Sequence, residues 1–418
     1  MGDLAGPAAA LSDLSAGAGE GAHAPVISGT TFVYLSACDW SAPWHGPQEI
    51  AVRLGAAGNR VVYVETLGWR RPRSFDLPRI GARLARAAGA RLRSQGTIVA
   101  PGVERLSPLL LPGASSRPAH ALNRQLLLRL LRPRLAGRHG QLVLWIYTPS
   151  RLALDLVGAL GEDLAVYHCT QAYAHRPLAP PDTSEVEERL IERVGAVVVD
   201  GIALYEERRV RHPYVYRVPT GVNAGDYSGA SPPRWAAGLR RPVIGYLGTV
   251  DHRVDPTLLA AVARARPESS VLLVGPVVDA DVGGLAALPN VVLHGHVPID
   301  EVPSVLAAFD VGVLPYAEHA MTRYTYPAKL HQYLAAGLPI ASTPLPDLTE
   351  FEHLVEVGRG PAGFARAVER ALASPRREPE RRAVAARNTW EARLGALSAI
   401  VSGHLSGAPP PPSRDFRP

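Results

Sequence analysis

The 418-residue sequence contains only two cysteines, Cys38 and Cys169. They fall in unrelated apolar segments, and no C-x-x-C occurs. That usage offers neither a disulfide framework nor a zinc site, and it fits a reducing, cytoplasmic setting. No stretch approaches eighteen uninterrupted apolar residues, so no helix is expected to span a bilayer, and any membrane contact is expected to be peripheral, at the inner face. Residues 1–24 are rich in Ala and Gly and lack the basic start and apolar run of a signal peptide. Charge of one sign is also scarce: 44 Lys and Arg stand against 38 Asp and Glu, a formal net charge of +6. Clusters such as Arg70-Arg71 and Arg381-Arg382 are short, and the excess reads as thinly spread. They read as solvated faces or a lipid-head-group contact, and the absence of a Lys/Arg face with interleaved aromatics argues against nucleic acid.

What is present is a globular composition, 47% hydrophobic, long enough for two ordinary domains. Short β-branched runs alternate with longer helical stretches, the pattern of parallel sheets covered by helices. Strands are expected at 31–36, 60–65, 142–147, 164–169, 196–200 and 214–218. A helix is expected at 47–57, and another near 80–92 within a poorly periodic insertion. After a small-residue linker the pattern restarts, with strands at 242–247, 270–275, 290–293, 310–314 and 339–342. Helices are expected at 255–265, 300–308 with Asp300 as N-cap, 327–336, 361–372 and 380–401. The expected fold class is therefore α/β, with two Rossmann-like doubly wound domains facing a central cleft. The expected boundaries are a flexible leader 1–28, a first domain 29–222, a linker 223–241 and a second domain 242–378. A C-terminal helix 379–406 and an unstructured tail 407–418 with four consecutive prolines would complete the chain.

The second half carries the clearest chemistry. Gly248 closes its first strand, where a glycine lets backbone approach a phosphate. Gly245, taken alone, reads as turn chemistry. Asp251, His252 and Arg253 follow, and the Arg253 guanidinium fork suits a diphosphate. In 322–342 (TRYTYPAKLHQYLAAGLPIAS), Pro327 suits the first turn of a helix, whose free N–H groups at 325–328 would form an anion site. Lys329 would sit in that first turn, where a cation is unfavourable to the helix dipole unless it meets an anion. Arg323 adds positive charge, and Gln332 lies on roughly the same face as Lys329, placed to bond a ribose hydroxyl. Leu330, Tyr333 and Leu334 supply the helix's core face.

The stretches VIGYLGTVDHRVDPTLL, VLLVGPV, NVVLHGHVPIDEVPSVLAAFDVGVLPY and YPAKLHQYLAAGLPIASTPLPDL resemble glycosyltransferase family 4, the GT-B kind, and its bacterial cell-surface polysaccharide branch. The resemblance covers about residues 32–397 and is strongest after 242. It implies a retaining glycosyltransferase that uses a nucleotide-diphosphate sugar. The loop at His296 and Val297 would line the base, and Lys329 and Arg253 would hold the diphosphate. Gly248, Thr249, Gly275, Arg323, Tyr326 and Gln332 complete the candidate donor-binding set, and the helix with Trp390 would cross back to the first domain. Tyr324 and Gln332 stand where many members carry two glutamates, and Thr249 where the family has Arg.

In the first half, the polar-aromatic loop 39–48 follows the first strand. Trp40 and Trp44 are candidate acceptor-stacking residues, with a hydrophobic lid as the alternative. Asp39 and His45 are the titratable groups there, and His168 is a further candidate base that reads equally as a core histidine. These three form the candidate catalytic set. Asp279-Ala280-Asp281 has metal-motif spacing but reads as a loop, so no metal and no cofactor are expected. The expected partners are a nucleotide-sugar and a carbohydrate, lipid-linked or small-molecule acceptor. Alternatives are a catalytically weakened partner subunit, or another reaction on the same fold such as sugar-nucleotide epimerisation or cyclitol coupling.

Overall fold

A computed structural model describes residues 25–65, 96–111, 117–138, 140–177, 179–374 and 377–414. The chain divides into two compact units. The first comprises Met1–Asp200, Leu204–Val218 and Leu394–Pro418, and the second comprises Gly201–Ala203 and Pro219–Arg393. The expected helix near 80–92 lies outside the described residues.

In the first unit, β1 (Thr31–Leu35), β2 (Arg60–Val64), β3 (Thr97–Ala100), β4 (Val103–Leu106), β5 (Leu142–Ile146), β6 (Leu164–Cys169), β7 (Ala196–Val199) and β8 (Val215–Arg217) form one sheet. Its order is β3-β4-β2-β1-β5-β6-β7-β8, and only the β3–β4 pair is antiparallel. Strands β1, β5 and β6 are buried at every position. That is why they read as continuous apolar runs rather than as alternation. Helices α1 (Gly46–Ala56), α2 (Arg117–Leu135), α3 (Arg151–Leu156), α4 (Thr183–Arg193) and α5 (Ile202–Arg208) lie between the strands in sequence. The pairs β3–β4 and helices α2 to α5 had no counterpart in the sequence expectations.

The second unit holds β9 (Val243–Leu247), β10 (Ser270–Val274), β11 (Val291–Gly295), β12 (Val311–Leu314), β13 (Ile340–Ser342) and β14 (Val355–Val357). Its six parallel strands run in the order β11-β10-β9-β12-β13-β14, the doubly wound Rossmann order with its topological switch between β9 and β12. Helices α6 (Pro256–Ala265), α7 (Gly283–Ala286), α8 (Val302–Ala307), α9 (Lys329–Ala335), α10 (Gly360–Ala373) and α11 (Glu378–Ala386) accompany it, and α12 (Trp390–Leu405) ends the helical order. Alternate residues of β9 feed two cores. Val243 and Leu247 join α8 and α9, whereas Ile244 and Tyr246 join α6 and α10. Gly245 makes room for the Phe309 ring and has no part in the candidate site.

Three expectations are corrected. The helix expected at 380–401 is two helices, because Asn388 and Thr389 cap its halves. Asn388 Nδ2 donates to the Val384 carbonyl at 2.7 Å, and Thr389 Oγ1 accepts the Ala392 N–H at 3.3 Å. The helix expected from Asp300 begins at Val302, after a 3-10 turn at Ile299–Glu301, which places Pro303 in its first turn. The tail is not free over 407–414. The Tyr216 hydroxyl donates to the Pro410 carbonyl at 2.7 Å, and the Arg217 N–H donates to the Ser413 carbonyl at 3.0 Å. Strand β8 is a sheet edge, and the proline-rich segment keeps its carbonyls available as acceptors for that edge.

Candidate functional site

The second unit's site is built at the carboxyl ends of β9, β10 and β12. After β9 the chain turns through Gly248 and runs to the N-cap of α6, Asp255, whose carboxylate accepts the Thr257 N–H at 2.9 Å. This loop is tied to the exit of β12. The Asp255 N–H donates to the Pro315 carbonyl at 2.9 Å, and the Ala317 N–H donates to the Arg253 carbonyl at 2.8 Å. The loop therefore lies at the switch point, where parallel sheets of this kind bind ligands.

Lys329 reaches this point from α9. A Cβ on Gly248 would lie 2.0 Å from Lys329 Cε, so glycine is what allows the lysine stem to cross the end of β9. Gly275, at the end of β10, has φ +144°, and a Cβ there would lie 2.1 Å from the Gly248 carbonyl oxygen. The Lys329 ammonium stands 5.7 Å from the centroid of the Tyr246 ring, a cation–π contact. Burial, and then the positive charge of Arg253, draw the Lys329 pKa down to about 8, with Asp251 opposing.

Arg253 is gripped by Asp251. Its Nε lies 2.9 Å and 3.1 Å from the two carboxylate oxygens, its Nη2 lies 2.6 Å from one, and its backbone N–H adds a further bond at 2.9 Å. Burial alone would raise the Asp251 carboxyl, but the guanidinium outweighs it and holds the group below its ordinary value. For Arg253, burial opposes the charged form and Asp251 overcomes it, so its pKa is raised. The site thus combines one fixed ion pair with a desolvated ammonium that makes no ion pair with any described residue. An anion arriving there would be met by Lys329 first.

The anion site expected from free N–H groups at 325–328 is corrected. Helix α9 starts at Lys329, with Ala328 as N-cap, and Pro327 precedes it. The Thr325 N–H is consumed by the preceding 3-10 turn, donating to the Thr322 carbonyl, and the Ala328 N–H donates to the Tyr326 carbonyl, each at 3.0 Å. Tyr326 is buried, with its hydroxyl 2.6 Å from His331 Nε2. Gln332 is half-buried and hydrogen-bonds to the Tyr227 side chain. Arg323 is exposed over the Tyr324 ring at 5.9 Å, Thr249 is half-buried, His296 is exposed, and Val297 packs against the core. The Asp281 carboxylate accepts the Gly283 N–H at 3.0 Å, as a loop residue would.

In the first unit, the loop after β1 is ordered by α1. Gln48 Oε1 accepts the N–H of His45, the N-cap residue of α1, at 3.0 Å. His45 itself is exposed, whereas the Asp39 side chain lies in the interior at 2% exposure. The Trp40 N–H donates to the buried Glu65 carboxylate at 2.9 Å, and Trp44 Nε1 donates to Glu49 at 2.5 Å. The two indoles meet edge to face at 5.8 Å, and Trp40 meets Tyr63 in the same way at 5.0 Å. His168 is 3% exposed, stacks on Tyr147 at 4.8 Å and places Nε2 3.1 Å from Asp200. Its Nδ1 is buried with no hydrogen-bond partner. Asp200 is the more accessible member of that pair.

Sequence reasoning did not single out Tyr246, Tyr227, Glu65 or Asp200 as functional. A further signal lay in plain view: Lys329 is the only lysine among the 44 strong bases.

Residues 241–374 match the family model described as Glycosyl transferases group 1. A protein of Bacillus subtilis (strain 168), named as a candidate teichuronic acid biosynthesis glycosyltransferase, TuaH, is 32% identical over 139 residues. That match spans 31% of this chain and 34% of the relative, so the chain matches about a third of that protein's length. Among solved structures, a UDP-forming alpha,alpha-trehalose-phosphate synthase from Burkholderia xenovorans aligns with a TM-score of 0.58 at 13% identity, over 90% of this chain and 99% of that one. The lipopolysaccharide outer core galactosyltransferase WaaB aligns with a TM-score of 0.55 at 11% identity, over the same shares of each chain. At such identities the structures speak for the fold. The chain has the GT-B fold, with two Rossmann-like sheets, and resembles glycosyltransferase family 4.

Proposed function

We propose that this protein is a glycosyltransferase that moves a sugar from a nucleotide-diphosphate sugar to an acceptor hydroxyl, with retention of anomeric configuration. The observation that carries the reading is Lys329, a desolvated ammonium held across Gly248 at the β9–β12 switch point. A half-buried, desolvated cation with no carboxylate of its own is a costly arrangement unless an anion completes it. In the transfer, the bond from the sugar's anomeric carbon to the diphosphate oxygen breaks, and a bond to the acceptor oxygen forms. Negative charge grows on the departing diphosphate oxygen, which keeps the bonding electron pair and takes up the acceptor proton. Lys329 and Arg253 meet that charge with groups already in place, the economical form of electrostatic catalysis. Asp251 fixes the direction of the guanidinium. The first unit supplies the acceptor side, with Trp40 and Trp44 as stacking surfaces and Asp200, backed by His168, as an accessible carboxylate. Retention follows from the resemblance to family 4.

The test is a thermal-shift and calorimetric screen against UDP, GDP, ADP and dTDP sugars. A donor stabilises the fold by mass action, and the shift should vanish in Lys329→Ala but persist in part in Lys329→Arg. Equal shifts in wild type and both variants would remove Lys329 from the site. One observation favours a second reading. Gln332, where the family has glutamate, is engaged by Tyr227 and brings no charge. A donor-binding subunit with little turnover of its own would bind a sugar nucleotide in this screen yet release no nucleotide when acceptors are added.

A further inference from the structure

Residues 66–138 hold 15 arginines against two acidic residues, Asp76 and Glu104, whereas the whole chain is only +6. The positive excess is therefore concentrated, contrary to its thinly spread reading, and the rest of the chain is net acidic. The described part of this stretch is organised by α2. That helix carries Arg117, Arg124, Arg129, Arg132 and Arg134 and no acid. It buries Asn123, Leu127, Leu128, Leu131 and Leu135 on one face. Arg134 is spent on Glu104 at 2.7 Å. Arg117, Arg124, Arg129 and Arg132 make no ion pair with any described residue, and three of them are exposed.

Exposed leucines lie at the start of α2 and in the segment before it. Leu122 is 44% exposed, and Leu109 and Leu111 are 43% and 46% exposed. Leu111 is anchored to α2 by Asn123, the residue after Leu122. The Leu111 N–H donates to Asn123 Oδ1 at 2.8 Å, and Asn123 Nδ2 donates to the Leu111 carbonyl at 3.0 Å. A buried amide thus ties the exposed Leu111 to the helix that carries Leu122 and the unpaired arginines. Solvent exposure of fixed leucines costs free energy unless an apolar phase receives them.

We infer that the outer face of α2, with Leu109, Leu111 and Leu122, docks on an anionic lipid surface. Arginines meet lipid phosphates while the leucines enter the head-group boundary, as on an interfacial amphipathic helix. The exposed leucines favour a bilayer over a nucleic acid, which has no apolar phase to receive them. This inference rests on the first unit alone and does not depend on the glycosyltransferase reading.

The experiment is co-sedimentation of the full chain with vesicles of phosphatidylcholine alone and with roughly a quarter phosphatidylglycerol, at low and high salt. The expected result is binding to the anionic vesicles only, falling steeply with salt. The double variant R129E/R132E should weaken it about tenfold or more, because each substitution replaces a charge attracted to the surface by one repelled from it. The double variant L111S/L122S should weaken it several-fold while leaving the salt dependence unchanged. Thermal unfolding of each variant confirms that it is folded, since all four side chains are exposed. Equal binding to neutral vesicles, unchanged binding by the folded R129E/R132E, or tighter binding to a DNA duplex than to anionic vesicles at the same salt would overturn the inference.

Discussion

Lys329 lies across Gly248 so closely that a single added Cβ would come within 2.0 Å of its Cε. The contact joins two elements far apart in sequence, the end of β9 and the start of α9, and it fixes where the chain's one lysine places its charge.

Two glycine variants should separate this contact from the backbone beneath it. In Gly248→Ala the intruding methyl meets a flexible side chain, whereas in Gly275→Ala it meets the Gly248 carbonyl oxygen at 2.1 Å. Both add the strain of positive φ, about 1–3 kcal/mol. Gly275→Ala should therefore lower the melting temperature more. Gly248→Ala should lose the donor-induced thermal shift while retaining most of its stability.

The depressed lysine makes a signed pH prediction. Lys329 has a folded pKa of about 8, below the ordinary lysine value that it regains on unfolding. Between those values the unfolded chain holds more protons, so this group makes stability rise with pH across that window. Lys329→Met should remove that increment, seen as the difference between the two proteins' unfolding curves. A bound diphosphate should raise the lysine pKa, so donor binding near pH 9 should take up a proton. Calorimetric heats there should depend on the buffer's ionisation enthalpy, and near pH 6.5 that dependence should fade.

Asp251→Asn tests the fixed ion pair. Removing the carboxylate takes away the one charge that supports the protonated Lys329, so its pKa should fall further. The rate of amine acylation at Lys329 near pH 7.5 should rise in this variant, read by peptide mass spectrometry. Donor affinity should fall despite the added positive charge, because Arg253 loses its orientation.

On the acceptor side, Trp44 is held by its bond to Glu49, and Trp40 by its backbone bond to Glu65. Trp40→Ala should raise the KM for acceptor several-fold with little change in donor affinity, measured by separate titrations of the two substrates. An equal loss for both would point to a packing role for the indole.

Much of the second unit was legible in the sequence because its strands are continuous apolar runs ending in glycine. Gly248 and Gly275 mark the ends of β9 and β10, and Asp255 and Pro256 start α6 as N-cap and first residue. The pairs β3–β4 and helix α2 were not legible. Strand β3 is an exposed edge, and α2 draws its apolar stripe from a leucine run interrupted by arginines. The seven residues of α9 were read as longer because Pro327 mimics a helix start, whereas the N–H groups of Thr325 and Ala328 already bond to carbonyls before the helix. At the site, Lys329, Arg253 and Gly248 could be singled out from type and position. The bond from Gln332 to Tyr227 and the pairing of His168 with Asp200 depend on elements that meet only in the fold, whereas the grip of Asp251 on Arg253 is local, two residues apart in one loop.

The most direct test uses the fact that Lys329 is the only lysine. The protein is treated near pH 8 with an amine-acylating reagent, with and without each nucleoside diphosphate and its sugar, and the Lys329 peptide is quantified by mass spectrometry. The account predicts that one nucleotide class protects Lys329 at concentrations that also shift the melting temperature. Acylation of Lys329 that is unchanged by a ligand shown calorimetrically to bind would contradict it.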